Sequence, residues 1–311
     1  MKNILYMVVP CYTEEEVLPE TARRLKEKMS ELISCGKISD KSRVVLVNDG
    51  STDRTWEIIK ALHESDKLFS GINLSRNRGH QNALLAGLMT VIPHADFSIS
   101  MDADLQDDIS AIDKMIDKYH EGCDIVYGVR SRRDTDTFFK KATAEGFYKL
   151  MGKLGAKVIF NHADYRLMSK RAMEGLSEFK EVNLFLRGMI PMIGYKSDTV
   201  EYERGERFAG ESKYPLKKML AFAFEGITSL SAVPIRFISI LGLIMKAIGA
   251  IALIVTLVQG ADMSGFILAS IWLIGGIQLM AVGLIGEYLG KAYLEVKGRP
   301  RFIVEEFLNE E

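Results

Sequence analysis

Along the first two thirds of the chain, short apolar runs alternate with longer stretches in which apolar residues recur every three or four positions. The short runs are "ILYMVV" at 4–9, "RVVLVN" at 43–48, "FSGINL" at 69–74, "DFSISM" at 96–101 and "DIVYGV" at 124–129. They are rich in β-branched and aromatic residues and read as strands. Helical spacing runs over Glu14–Ser34, Asp53–Glu64, Gly79–Val91 and Ile109–Tyr119. Strands alternating with helices predict an α/β domain with a mostly parallel sheet covered on both faces. Ligands of such sheets bind beyond the carboxyl ends of the strands. The opening "MKNILYMVVP" lacks a longer apolar region and a small-residue cleavage site, so it reads as the first strand and not as a signal peptide.

The pattern changes after Tyr214. Ile235–Val258 ("IRFISILGLIMKAIGAIALIVTLV") and Gly265–Tyr288 ("GFILASIWLIGGIQLMAVGLIGEY") are each close to the ~20 apolar residues that cross a bilayer as a helix. Two transmembrane helices are expected. The link "QGADMS" carries no Lys or Arg. Lys213, Lys217, Lys218 and Arg236 stand on one side of the pair, and Lys291, Lys297, Arg299 and Arg301 on the other. By the positive-inside rule both termini face the cytoplasm, with the chain in the inner or plasma membrane. The rival reading is a helical hairpin buried in a soluble protein. Lys246, near the middle of the first run, either snorkels, pairs with an acidic group such as Glu287, or marks a later start of the span. "PLKKMLAFAFEGITSLS", Pro215–Ser231, reads as an interfacial helix or as the start of the first span. The expected organisation is a cytoplasmic domain at 1–214, an interfacial helix at 215–232, a transmembrane hairpin at 233–289 and a cytoplasmic tail at 290–311.

Charge and cysteine content narrow the classes. With 40 basic and 41 acidic residues the chain lacks the basic excess of a general nucleic-acid binder. Its three cysteines, Cys11, Cys35 and Cys123, are odd in number and lack ligand spacing. Neither a disulfide framework nor a zinc site is expected.

Polar residues gather where the strands stop: "CYTEEE" after the first, "NDGSTD" after the second, "SRNRGHQNA" after the third and "DADLQDD" after the fourth. No Gly-x-Gly-x-x-Gly run and no Walker A loop accompanies them. In extended chain Asp102 and Asp104 point to one side. Two hard oxygen donors there suit Mg²⁺ or Mn²⁺, bound through one or two carboxylates and a substrate's phosphates, and Gln106 offers a neutral oxygen. The competing reading is an acidic turn that is merely solvated. Asp49, in "NDGSTD", tips the weighting toward a site, whereas Asp53 reads as a helix start.

"VVPCYTEEE", "VNDGSTD", "LSRNRGHQNALLAG", "DADLQDD", "NHADYRLMS", "RFAGESKYP" and "GLIGEYLGKAYLEVKGRPRF" together resemble the family 2 inverting glycosyltransferases with a GT-A fold. Within them they are similar to the polyprenyl-phosphate glycosyltransferases, relatives of dolichol-phosphate mannose synthase and bactoprenol glucosyltransferase. The resemblance implies that Pro10, Tyr12, Glu14 and Asp49 hold the nucleotide. It implies that Asp102 contacts the nucleotide-sugar, that Asp102, Asp104 and Gln106 surround the metal, and that Asp164 lies near the reaction centre. Two positions depart from the family pattern: Thr13, where Asn is usual, and Asp108, where Pro is usual. Thr13 is expected to change a local contact only. Asp108 suits the start of a helix, and Asp107 is expected to be solvated.

"RSRRDTDTFFKKAT", Arg130–Thr143, brings five cations after the fifth strand. They read as a receiver for a lipid phosphate or as a basic loop on anionic headgroups. The resemblance favours the receiver, with Arg130, Lys140 and Thr143 at the acceptor phosphate and Arg207 closing from "RFAGESKY". The implied reaction moves one sugar from a nucleotide-sugar, UDP-glucose or UDP-N-acetylglucosamine first and GDP-mannose behind, to undecaprenyl phosphate with inversion. Glycines along both apolar runs allow close helix approach, so a homo-oligomer, a tetramer among the options, is expected. A processive synthase would carry a Gln-x-x-Arg-Trp element, which neither Trp56 nor Trp272 provides. A flippase would need more spans, and a non-catalytic scaffold would have no use for the acidic set.

Overall fold

The computed structural model describes residues 2–130, 162–203 and 263–309. At its centre β1 (Leu5–Cys11) buries all seven of its residues. It pairs in parallel with β2 (Arg43–Asn48) and β4 (Phe97–Ser100), and β2 with β3 (Phe69–Leu74). A strand covered on both faces must be apolar throughout, which is why these segments read as unbroken runs. The other half of the sheet is built from β5 (Ile125–Arg130), β6 (His162–Ser169) and β7 (Ser197–Tyr202). β6 lies antiparallel between β4 and β5, and β7 runs parallel to β5. With β8 (Val304–Leu308) on the rim beside β3, the full order is β7-β5-β6-β4-β1-β2-β3-β8.

Helices cover both faces. α1 (Leu18–Ser34) buries Leu18, Ala22, Leu25, Met29 and Leu32, one stripe at three- and four-residue spacing. Together with α2 (Thr55–Ser65) and α4 (Ala111–His120) it packs on the Leu5, Met7 and Val9 side of β1. α3 (His80–Val91), α5 (Lys170–Ser177) and α6 (Leu186–Met192) cover the Tyr6 and Val8 side. Gly87 lets α3 lie directly on the sheet, since a Cβ there would stand 2.3 Å from a Val8 methyl. That approach sets the height at which the first turn of α3 reaches the strand ends.

The expected strands and helices of 4–129 are all present, with α1 beginning after a turn at 14–17. β6, β7, α5 and α6 go beyond that reading. So does β8 (Val304–Leu308), which comes from the expected tail and pairs antiparallel with β3. The segment 215–232 and the first apolar run, 235–258, lie outside the described residues. The second run falls on one helix, α7 (Met263–Lys297), of 35 residues. Among the residues described down to their side chains, no helix offers a stretch long and apolar enough to cross a membrane. The expected pair of spans therefore stays a reading of the sequence.

Candidate active site

The loops after β1 and β2 are stitched together at their polar residues. Thr13 N–H donates to Ser51 Oγ at 3.0 Å, Glu14 N–H to Thr55 Oγ1 at 3.0 Å, and Glu15 N–H to Asp53 Oδ2 at 3.3 Å. Pro10 is buried in β1 opposite Val47, and Tyr12 stands 42% exposed at the strand's end. The Glu14 carbonyl accepts from Val17 and Leu18 N–H and so starts α1. Thr13 sits at φ +51°, a left-handed conformation that a β-branched residue adopts at a cost. Asn, which the resemblance leads one to expect there, enters that region readily. The departure at Thr13 is thus a matter of backbone as well as of contacts.

Asp49 is buried, and its carboxylate grips the turn before α3. Oδ1 accepts from Arg78 N–H at 2.7 Å and Oδ2 from Gly79 N–H at 2.9 Å. Burial raises its pKa above the ordinary value, and the two main-chain donors oppose the rise. Gly50 beside it has φ +61°, and a Cβ there would meet Asn77 N at 2.4 Å. The second motif thereby places His80, the first residue of α3.

His80 is the meeting point of the site. Its Nε2 lies 3.4 Å from Asp102 Oδ1 and 3.7 Å from Asp164 Oδ2. Asp102 Oδ1 is shielded from solvent and accepts no hydrogen bond. Burial raises the Asp102 pKa; His80 opposes the rise, and Asp164 and Asp104 add to it. Asp104 Oδ1 accepts from Gln106 N–H at 3.2 Å, forming a tight turn whose middle residue, Leu105, is held at φ +58°.

Asp164, on β6, is braced from two sides. Arg166 Nη2 donates to Oδ1 at 2.5 Å, and Arg187 Nη2 to Oδ2 at 3.0 Å. Burial alone would raise this carboxyl, but Arg187 and Arg166 overcome it and hold Asp164 well below the usual carboxylate range. So acidic a group is a poor proton acceptor. Its geometry suits orientation and fixed negative charge.

Asp107 corrects an expectation. Instead of facing solvent it is 4% exposed, and Tyr202 Oη donates to its Oδ1 at 2.5 Å. Arg130 Nε donates in turn to Tyr202 Oη at 3.3 Å. Burial pushes the Asp107 carboxyl up to about 6, and the Asp102 charge adds to the rise. Asp108, by contrast, turns the chain into α4 by accepting from Ser110 N–H and Oγ at 2.8 and 2.7 Å.

The structure thus gathers Asp102 and Asp164 around His80, with Asp49 behind its helix and the Asp107–Tyr202–Arg130 chain alongside. Lys140, Thr143 and Arg207 lie outside the described residues. The sequence reading does not select His80, Arg166, Arg187 or Tyr202. Arg166 was within reach of it, two positions from Asp164 in the quoted motif. Among the described residues no group of three or more His, Cys, Asp and Glu converges as a metal cluster. A buried, unbonded Asp102 oxygen whose anionic form is disfavoured still fits a divalent cation shared with substrate phosphates, which needs only one or two protein carboxylates.

Residues 6–176 match the family model described as glycosyl transferase family 2. The chain is 53% identical over 307 residues to the glycosyltransferase YkoT of Bacillus subtilis, covering 97% of this chain and 91% of that one. It is 41% identical over 311 residues to the SfII prophage-derived bactoprenol glucosyl transferase of Shigella flexneri, covering 96% of each. Among solved structures, mannosyl-3-phosphoglycerate synthase from Rubrobacter xylanophilus shares the fold at a TM-score of 0.50 and 14% identity, over 75% of this chain and 74% of that one. The sheet is that of a GT-A fold, and the chain belongs to glycosyl transferase family 2.

Proposed function

We propose that this glycosyltransferase moves one glucose from UDP-glucose to undecaprenyl phosphate, inverting the anomeric carbon and releasing UDP. The observation that carries the reading is the match to a bactoprenol glucosyl transferase across 96% of both chains, apolar runs included. Pro10, Tyr12, Glu14 and Asp49 border the nucleotide, the exposed Tyr12 ring lying beside the base and Asp49 acting through the turn it holds. Asp102, Asp104 and Gln106 hold Mg²⁺ or Mn²⁺, which when bound supplies positive charge to the departing diphosphate.

The acceptor phosphate is anionic at neutral pH, so its oxygen attacks the anomeric carbon without a strict need for a general base. One carbon–oxygen bond forms on the lipid phosphate as the bond to the UDP oxygen breaks on the opposite face. Positioning and charge therefore carry the rate. Asp164, fixed by Arg166 and Arg187, orients the reacting groups from the wall opposite Asp102. Arg130, Lys140, Thr143 and Arg207 receive the lipid phosphate. The runs 235–258 and 265–288 span the cytoplasmic membrane with the catalytic domain and both termini inside, their glycine-bearing faces pairing copies of the chain.

The test uses the full chain in nanodiscs with undecaprenyl phosphate, a panel of UDP- and GDP-sugars, and Mg²⁺ or Mn²⁺ against a chelated control. Mass analysis of the lipid should show one added hexose from UDP-glucose, lost on chelation and in Asp104→Asn. Transfer only of N-acetylglucosamine or mannose would replace the donor. A polymer, or an unmodified lipid, would sink the reading.

A further inference from the structure

We propose that Glu295, near the end of α7, is a positioning residue for the reaction: it fixes the loop that leads into α6, the helix from which Arg187 reaches Asp164. The proposal rests on the reading of Asp164 as part of the reaction centre.

The loop at 178–185 is held mainly from outside. Glu295 Oε2 accepts from Val182 N–H at 2.7 Å, and Oε1 accepts from Asn183 N–H at 2.8 Å and from Asn183 Nδ2 at 2.5 Å. The same Nδ2 also reaches the Lys291 carbonyl, one helical turn earlier, at 3.3 Å. Arg301 Nη1, just past α7, donates to the Phe179 carbonyl at 3.1 Å. A carboxylate that accepts three N–H groups from two adjacent residues is a strong, directional tether. The contacts join residues more than a hundred positions apart in the chain.

α6 has little of its own to stay in place. It is seven residues long, its N-cap Phe185 supplies no side-chain hydrogen bond, and Pro191 lies inside it. So short a helix depends on its surroundings. Leu186 and Ile190 pack into the core beneath it, and its polar holds are the preceding loop that Glu295 grips and Gln81, whose Oε1 accepts from Leu186 N–H at 2.8 Å. Gln81 is next to His80, and Leu186 is next to Arg187. The tethered loop thus delivers a guanidinium to Asp164 from the same short segment that is pinned to the helix bearing His80. Since α7 also carries the second proposed span, the hold of Glu295 makes the orientation of that helix part of the geometry of the site.

The experiment compares the full chain in nanodiscs with Glu295→Gln, Arg187→Gln and the double variant, using UDP-glucose and undecaprenyl phosphate. Glu295→Gln should lower kcat about tenfold to a hundredfold, as a misplaced positioning group does, with KM for the nucleotide-sugar changed less than about twofold. In the Arg187→Gln background the same substitution should cost nothing further, because both act through one contact. Hydrogen exchange should quicken at 182–192 in Glu295→Gln. Unchanged kcat, additive losses, or unchanged exchange at 186–192 would each overturn the proposal. If Glu295→Gln does not fold, Asn183→Ala, which removes one donor and leaves α7 intact, carries the same cycle. Asp164→Asn in the same assay separates the two readings. Full turnover there sinks the placement of the reaction centre, whereas its loss beside an unaffected Glu295→Gln sinks only the tether. Should the wild-type chain transfer no sugar, the exchange readout still decides the tether.

Discussion

The two halves of the site are held by different forces. Beyond β1 and β2 the loops are fixed by main-chain N–H groups and small hydroxyls, as in the grip of Asp49 on Arg78 and Gly79. Beyond β4 and β6 the wall is fixed by charge, with Asp164 between Arg166 and Arg187 and Asp107 beneath Tyr202. Main-chain N–H donors carry no net charge and act at short range. Buried charges are strong only while every partner stays in place. The first half is a rigid frame, and the second is a balance that a substrate's own charges can tip.

The largest effect should come from upsetting that balance. Asp102→Asn removes the charge that burial, Asp164 and Asp104 disfavour most. Transfer should fall on the order of a hundredfold or more, the scale of losing a group that stabilises transition-state charge. Retained activity in the nanodisc assay would move the metal away from Asp102. Breaking the frame should act on stability first. Asp49→Ala leaves the Arg78 and Gly79 N–H groups without their carboxylate acceptor and should cost about 1–3 kcal/mol, read as a lower Tm in both the presence and absence of donor. A loss of activity with Tm unchanged would instead make Asp49 a direct nucleotide contact.

The next test exploits pH. The Asp107 carboxyl is pushed up to about 6 when folded, above the unfolded value near ~3.9. The folded state then binds the proton more tightly, so stability falls as pH rises between about 4 and 6 and levels off above. Asp107→Asn should flatten that decline, a gain on the order of 2 kcal/mol at pH 7 and none below pH 4. Parallel Tm curves for the two proteins across that range would show that Asp107 is not the titrating group. The smallest effect belongs to the frame again. Thr13→Asn should relieve the φ +51° backbone and stabilise by less than about 1 kcal/mol. A lower Tm would mean that the hydroxyl bond from Thr13 Oγ1 to the Tyr12 carbonyl matters more than the backbone.

The same contrast decides what could be read from the chain. Strands such as Leu5–Cys11 are apolar at every position because the sheet is covered twice, so composition alone reveals them. The acidic loop at 102–108 became a candidate site only beside Asp49 and the family resemblance, since an acidic turn at a strand end reads equally well as merely solvated. What could not be read depends on contacts across long separations. β6 lies on the polar-looking "HADYRLMS", and Arg187 gives no local sign of meeting a residue 23 positions before it. His80 carries no local sign of a site, because its place depends on the turn that Asp49 holds and on the close approach at Gly87. Asp107 looked solvated because its cover, Tyr202, comes 95 positions later.

The pairing of β8 with β3 bears on how the protein is made. Until Val304–Leu308 leave the ribosome, the free N–H and C=O groups of β3 stay open at one rim of an otherwise completed sheet. By then the ribosome has already released both apolar runs, 235–258 and 265–288, so β8 joins the sheet only after they have emerged. The order of synthesis leaves β3 as the rim on this side of the sheet until the strand that covers it arrives, and a chain without Val304–Leu308 would keep it there.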